Sequence, residues 1–317
     1  MTGLRRYAFA LGPLAAAALW GGMFVVSKWS FDMVPPVTMG FLRVALGGVA
    51  LWLGVRLVDG RVAGRTDTRR GIDRADWRAF AVLGFWVTLT IATQFVGTEL
   101  TNASQGSLLT VLVPVFVVVL GAALHDETVT GAKAAGVALA AAGTALVIAG
   151  QYDLSAIAAG NAAGVALLVV SSVGWAGYTV WGLPVVRKYS ALTAATYSAL
   201  AATPMLAVLA AGELAMLDRG IGSIPLSAAS VFAVLYLGVA ATAAAWYLWY
   251  KGLEYVPAGS VAVFYFLQPV VGRALGAALL DARGGPGFVA GSVVIGLGVW
   301  VVTRERAADT TTTPENA

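Results

Sequence analysis

The chain has 317 residues, 59% of them hydrophobic and 11% charged, with a mean hydropathy of +0.82. Soluble domains carry about 25% charged residues, so a surface this poor in charge excludes a water-soluble protein and points to lipid as the surrounding solvent. A net charge of +4 is too small to suggest a nucleic-acid partner, and the absence of cysteine excludes disulfides, thiolate chemistry and cysteine-based metal sites.

A helical crossing of the bilayer core takes about 20 apolar residues. Charges, Pro and Gly clusters cut the chain into ten such stretches, at 8–27, 35–55, 79–98, 104–124, 134–150, 160–183, 190–212, 228–250, 258–280 and 285–303. The first follows Arg5 and Arg6 and could pass for a signal peptide, but it has a counterpart later in the chain and is read as part of the fold. The second carries Arg43 in its interior. A basic loop, 56–78, reads as an anchor on anionic headgroups. The third and fourth bring a weakly polar set that includes Thr88, Thr90, Gln94 and Thr110, and the fourth also holds Pro114. The fifth is short and depends on Ala and Gly. Trp and Tyr cluster in the sixth (Trp175 to Trp181) and at the end of the eighth (Trp246 to Tyr250). The ninth holds Tyr265, Gln268, Pro269 and Arg273. The tail, 305–317, reads as disordered.

The chain repeats itself at an offset of 155 without a gap. "LGAALHD" (Leu120 to Asp126) recurs as "LGAALLD" (Leu275 to Asp281), matching at six of seven positions. Trp20 falls on Trp175, Gly97 on Gly252, Glu99 on Glu254, Pro114 on Pro269, Gly136 on Gly291 and Gly143 on Gly298. Two copies of a five-helix unit follow, 1–151 and 156–304. Five is odd, so the second copy enters the membrane from the opposite face. With the N-terminus in the cytoplasm, Lys28, Arg219 and Arg283 lie in outer loops, Arg43 and Arg273 lie within spans, and the other fifteen of the twenty Lys and Arg are inside. The expected fold is therefore an all-α integral membrane protein of ten transmembrane helices in two inverted repeats, with both termini cytoplasmic. Such repeats belong to secondary transporters, which expose one central site to either side in turn.

The five-plus-five arrangement, "WGGMFVVSK" in the first helix and the Arg in the second resemble the EamA type of the drug/metabolite transporter superfamily. So do "LLTVLVPVFVVVLGAALHDETVTGAKAAGVALAAAGTALVI" and "VAVFYFLQPVVGRALGAAL". The resemblance covers nearly all of 8–303 and implies export of small metabolites, often amino acids or related solutes, or of drugs. Two features depart from the family pattern. The Glu that ends the helix-four motif is present as Glu127, but its register partner is Ala282, with Asp281 one place early; and Arg273 stands where the family has a small or apolar residue.

A charge near mid-bilayer costs about 2.5–3.5 kcal/mol on insertion scales, so it faces a cavity or a partner. Arg43 lies eight residues past Pro35, roughly 12 Å along the helix, and Arg273 lies eight before Asp281, which gives both a similar depth. They read as a cationic pair that receives a carboxylate, or else as braces or snorkelling residues. Tyr265, Pro269 and Arg273 share one α-helical face, with Gln268 beside it. Pro114 and Pro269 interrupt hydrogen bonding inside their helices and mark hinges, cavity wall or static kinks. The aromatic clusters read by default as interfacial belts. Trp20, Trp175 and Tyr178 are nonetheless candidate pocket rings, and Gln94 joins them as a polar lining residue. Glu99 and Glu254 read as loop caps, and His125 as a solvated loop residue.

A lone histidine excludes histidine-cluster metal sites, the chain lacks the multi-Asp constellation of membrane transferases, and no phosphate-binding Gly-rich loop with its Lys occurs. No catalytic residue, metal or cofactor is expected. The partners are a small-molecule solute and the lipid bilayer; Gly272 and Gly276 read as packing within a monomer. The leading expectation is a secondary transporter in the cytoplasmic membrane that exports a small polar metabolite such as an amino acid. The alternative is a multidrug exporter of aromatic cations, which the ring clusters favour and an unpaired Arg273 opposes.

Overall fold

A computed structural model describes residues 8–62, 72, 74–101, 103–110, 112–125, 127–149, 161–268, 270–271 and 286–312. Among these, every regular element is helical. In chain order they are α1 (Ala8–Gly21), α2 (Met23–Ser30), α3 (Pro36–Val62), α4 (Arg74–Leu100), α5 (Ala103–Leu109), α6 (Leu112–His125) and α7 (Gly131–Ala149). Then follow α8 (Ala162–Tyr189), α9 (Ala191–Met216), α10 (Ala228–Leu235), a π-helical segment (Tyr236–Ala244), α11 (Ala245–Leu253), α12 (Ala258–Ala262), a 3₁₀ segment (Val263–Leu267) and α13 (Pro286–Thr312). Six stretches are long and apolar enough to cross a membrane: Phe9–Ser30, Pro36–Leu57, Asp76–Leu100, Ala162–Tyr189, Ala191–Met216 and Ala228–Leu253. Shorter apolar helices occupy Leu112–His125, Gly131–Leu146, Ala258–Leu267 and Val289–Val302. Large apolar side chains such as Leu57, Phe85, Val119, Val208 and Val293 are exposed on the outside. That is the surface of a multi-pass membrane protein.

Helix starts carry local signals. The Asn161 side chain accepts the N–H groups of Ala163 and Gly164, and Ser227 and Ser230 form a reciprocal capping box at the start of α10. Other starts are capped from a distance: Glu213, near the end of α9, accepts the N–H groups of Val37 (2.9 Å) and Thr38 (2.7 Å) and the Thr38 hydroxyl (2.8 Å). Expected helix four is in two pieces, α5 and α6. Pro114 lies in the first turn of α6, where its missing N–H would have had no intrahelical partner. The interruption is therefore a turn before the proline, not at it.

Packing partners exchange when the numbering shifts by 155. Helix α4 packs on α8 as α11 packs on α1; α5 packs on α8 as the 3₁₀ segment packs on α1; α9 packs on α4 as α3 packs on the π segment. The pairs α3/α9 and α7/α13 map onto themselves. Glycines at repeat-equivalent positions make the last crossing: a Cβ on Gly136 would stand 2.8 Å from Gly298 O, and one on Gly143 would stand 2.7 Å from Gly291 O. Only glycine permits that backbone approach.

The aromatic clusters do not form belts. Trp175, Tyr178, Trp246, Trp249 and Tyr250 are all buried, and three of their polar tips bond inside: Trp249 Nε1 donates to Thr179 Oγ1 (3.2 Å), the Tyr250 hydroxyl donates to Tyr178 O (3.0 Å), and the Tyr178 hydroxyl lies 3.1 Å from Ser198 Oγ. Burial is possible because the bundle offers internal acceptors. The exposed tryptophans among the described residues are Trp29, Trp52, Trp77 and Trp300, near the ends of apolar stretches, with Arg56 over Trp52 and Arg304 over Trp300.

Candidate functional site

The rings converge where helices from both halves meet. Trp20 and Trp175, equivalent by the offset, touch edge to face with centroids 5.2 Å apart, and Tyr265, Trp249 and Tyr178 extend the cluster. Beside them lies an internal pocket lined by Trp20, Met23, Arg43, Thr90, Ile91, Gln94, Trp175, Trp246 and Tyr265. The space left among these side chains is that of about one water molecule. The pocket is closed.

Arg43 is its charged wall. The side chain is 1% exposed. Nε donates to Thr242 Oγ1 (2.9 Å) and an Nη donates to Ala241 O (3.0 Å); the other Nη faces Met23 Sδ at 3.2 Å. The guanidinium also lies over the Phe95 ring. No carboxylate among the described residues reaches it, so the expected alternative of an ion-pair brace is not what these residues form. A thioether is a weak acceptor, which leaves one edge of the guanidinium poorly served.

The acceptor set exists because the eighth expected span is not a regular α-helix. In an α-helix the Ala245 N–H would bond Ala241 O; here it reaches Ala240 O and Thr242 O. Ala241 O is bypassed and takes both Arg43 and Trp20 Nε1 (2.8 Å). A π register at a functional site is a recurring device, and no residue in "YLGVAATAA" announces it.

Five sequence candidates therefore meet at one pocket: Trp20, Arg43, Gln94, Trp175 and Tyr265. Tyr178 sits behind it, stacked on Tyr250 (4.7 Å) and bonded to Ser198, so it supports the wall without lining it. Gln268 is buried, and neither of its amide atoms has a hydrogen-bond partner of good geometry among the described residues. Tyr265 lies in the 3₁₀ segment, so the α-helical spacing assumed for a Tyr265–Pro269–Arg273 stripe fails at its first member; Pro269 and Arg273 lie outside the described residues. Met23 and Ile91 went unnoticed because apolar residues at helical spacing carry no signal that separates wall from core.

The matched glutamates differ in role. Glu254 caps α9, accepting the Ala191 N–H (2.7 Å), and pairs with Lys251. Glu99 pairs with Lys28 at 2.6 Å, whose register partner in the second copy is Leu183. His125 is exposed at the end of α6, with Nε2 3.0 Å from Val180 O.

A solved crystal structure superposes on 95% of this chain and 99% of its own with a TM-score of 0.72 at 20% identity, a likeness of fold alone. Two proteins of Archaeoglobus fulgidus, each named an uncharacterized transporter, are 26% identical to the chain. One aligns over 291 residues (90% of this chain, 95% of its own) and the other over 294 (91% and 94%). The EamA-like transporter family matches twice, over residues 8–149 and 162–304. The chain belongs to the EamA-like transporter family.

Proposed function

We propose that the protein is a secondary transporter that moves a small polar metabolite, such as an amino acid, out across the cytoplasmic membrane by alternating access. The exchange of packing partners at an offset of 155 supports two inverted five-helix repeats, and the bias of Lys and Arg in the sequence supports both termini in the cytoplasm. The observation that carries the reading is Arg43. A buried cation without a carboxylate partner is expensive to keep, and this one lines a closed pocket with one guanidinium edge facing only a thioether. An anionic group on a solute completes it. Trp175, on the same pocket, has an Nε1–H without a partner and offers a second donor. The aromatic walls accept the apolar remainder of the solute.

Proteoliposomes loaded with labelled small solutes test this: carboxylate-bearing solutes move, and Arg43→Gln loses most of that movement while the protein still inserts. Equal transport by the variant overturns the reading. The buried ring cluster favours a second reading, export of aromatic cations through cation–π contacts. Arg43 opposes it, and cells expressing the protein separate the two by resisting either excess amino acids or cationic dyes.

A further inference from the structure

Two ties link the helix groups that meet at the pocket, and they are built unequally. On one side, Trp20, Met23 and Ser27 follow one face of α1 and α2, and Thr90, Gln94 and Thr98 follow one face of α4. The first two of each trio line the pocket. Ser27 and Thr98, a turn further along, are buried, and their hydroxyls have no partner. Partnerless buried hydroxyls are rare, and two of them leading out of a pocket mark a route that fills when it opens. Helix α5 presses on this route: a Cβ on Gly106 would stand 2.7 Å from Phe24 Cδ1 and 2.9 Å from Thr98 Oγ1. Directly beyond, Lys28 Nζ meets Glu99 Oε2 at 2.6 Å and Glu99 O at 2.9 Å, with the two side chains 34% and 44% exposed.

On the other side Glu127, in the turn after α6, holds the start of α12. Its carboxylate accepts the N–H groups of Ala258 (2.8 Å) and Gly259 (3.2 Å), and Lys133 Nζ lies 3.6 Å away. Both side chains are below a tenth exposed. Both ties cross the same boundary, joining the packed group of α4, α6 and α8 to the group of α1, α2, α11 and α12. Water screens the first tie and not the second.

We infer that the Lys28–Glu99 pair is the weaker of two gates, so that the closed pocket opens preferentially at that end. This rests on the alternating-access reading; with the termini in the cytoplasm, the weaker gate faces outward and favours release there. The inequality is written in the sequence, since the register partner of Lys28 is Leu183 and Glu254 is engaged elsewhere. Losing an exposed ion pair shifts an equilibrium by at most about fivefold. Losing a buried carboxylate's charge-assisted bonds shifts it roughly ten- to hundredfold.

The cysteine-free chain makes the test direct. Single-cysteine variants Thr98→Cys and Val118→Cys report the two routes; Val118 lies beneath the Glu127 tie, close to Gly259. In nanodiscs both faces are accessible to a polar maleimide, no solute is needed, and the result is independent of orientation. Lys28→Ala raises labelling of the Thr98 reporter about two- to fivefold, and the exchanged pair Lys28→Glu with Glu99→Lys restores the slow rate. Glu127→Gln raises labelling of the Val118 reporter at least tenfold. The proposal is overturned if the Thr98 reporter ignores Lys28→Ala, if the exchanged pair labels as fast as the single variant, or if Glu127→Gln has no larger effect than Lys28→Ala. Because labelling precedes any choice of solute, a failed transport panel with this pattern intact would remove the substrate reading and leave the gates.

Discussion

Replacing Arg43 with Met separates the two roles a buried cation can have. In the variant, Thr242 still donates to Leu237 O (2.7 Å) and Ala241 O still accepts Trp20 Nε1 (2.8 Å), so neither loses its last partner. Exchanging buried charge for an apolar chain of similar length is neutral or stabilising by about 1–4 kcal/mol in comparable cases. At roughly 2–4 °C per kcal/mol, the melting temperature of the purified protein stays level or rises by several degrees. Solute binding moves the other way. Loss of a charge-assisted hydrogen bond, about 1.5–3 kcal/mol, weakens affinity roughly ten- to hundredfold. At about 100 times its dissociation constant a solute stabilises the parent by about 2.7 kcal/mol; after a hundredfold loss the same concentration gives about 0.4 kcal/mol. Thermal melting with and without carboxylate solutes reads both effects in one experiment. A Met variant that melts several degrees lower and keeps the solute-induced rise would make Arg43 a brace and refute the reasoning.

Three further outcomes follow from particular contacts. Gly143→Ala puts a methyl group 2.7 Å from Gly291 O and Ile295 N, both backbone atoms, and lowers stability by about 1–3 kcal/mol by forcing α7 from α13, measurable as a fall in melting temperature. Glu213→Ala strips three acceptor contacts from the start of α3, where Thr38 is 1% exposed and cannot turn to water, and costs about 1–3 kcal/mol; Glu213→Gln recovers part of it. In intact cells an impermeant maleimide labels Ile221→Cys and leaves Thr312→Cys unlabelled, the reverse pattern inverting the proposed orientation.

Much of this was legible in the sequence because it rests on patterns with one physical meaning. Glycines at matched positions permit close backbone contact wherever they meet, and Gly136 and Gly143 meet Gly298 and Gly291. Long apolar stretches have one solvent. Arg43 and Trp20 stood out because polar and bulky groups within a span must be accounted for. The ring clusters misled because a Trp at a helix end and a Trp at the bundle centre are the same letter; only an internal acceptor such as Thr179 or Tyr178 O decides between them, and that depends on tertiary placement. The π segment was invisible for a related reason. Its register is fixed by what it frees Ala241 O to accept, and both donors come from residues about 200 positions earlier.

Repeat symmetry locates the pocket and then has to be broken for the pocket to work. Trp20 and Trp175 occupy equivalent positions and touch, yet one indole N–H is bonded and the other is not. Arg43 maps by the offset onto Ser198, which bonds the Tyr178 hydroxyl behind the wall. The π segment has no counterpart in α4, which stays α-helical from Arg74 to Leu100. Two equivalent halves would present two equivalent half-sites and hold a solute in two orientations. On the proposed reading, one cation, one unpaired indole and one freed carbonyl at the pocket give a solute a single orientation. The same divergence sets an exposed ion pair at one tie and a buried carboxylate at the other. Under the proposed alternating access, the direction in which the pocket empties follows from the differences between the halves, while the helices that move follow from their likeness.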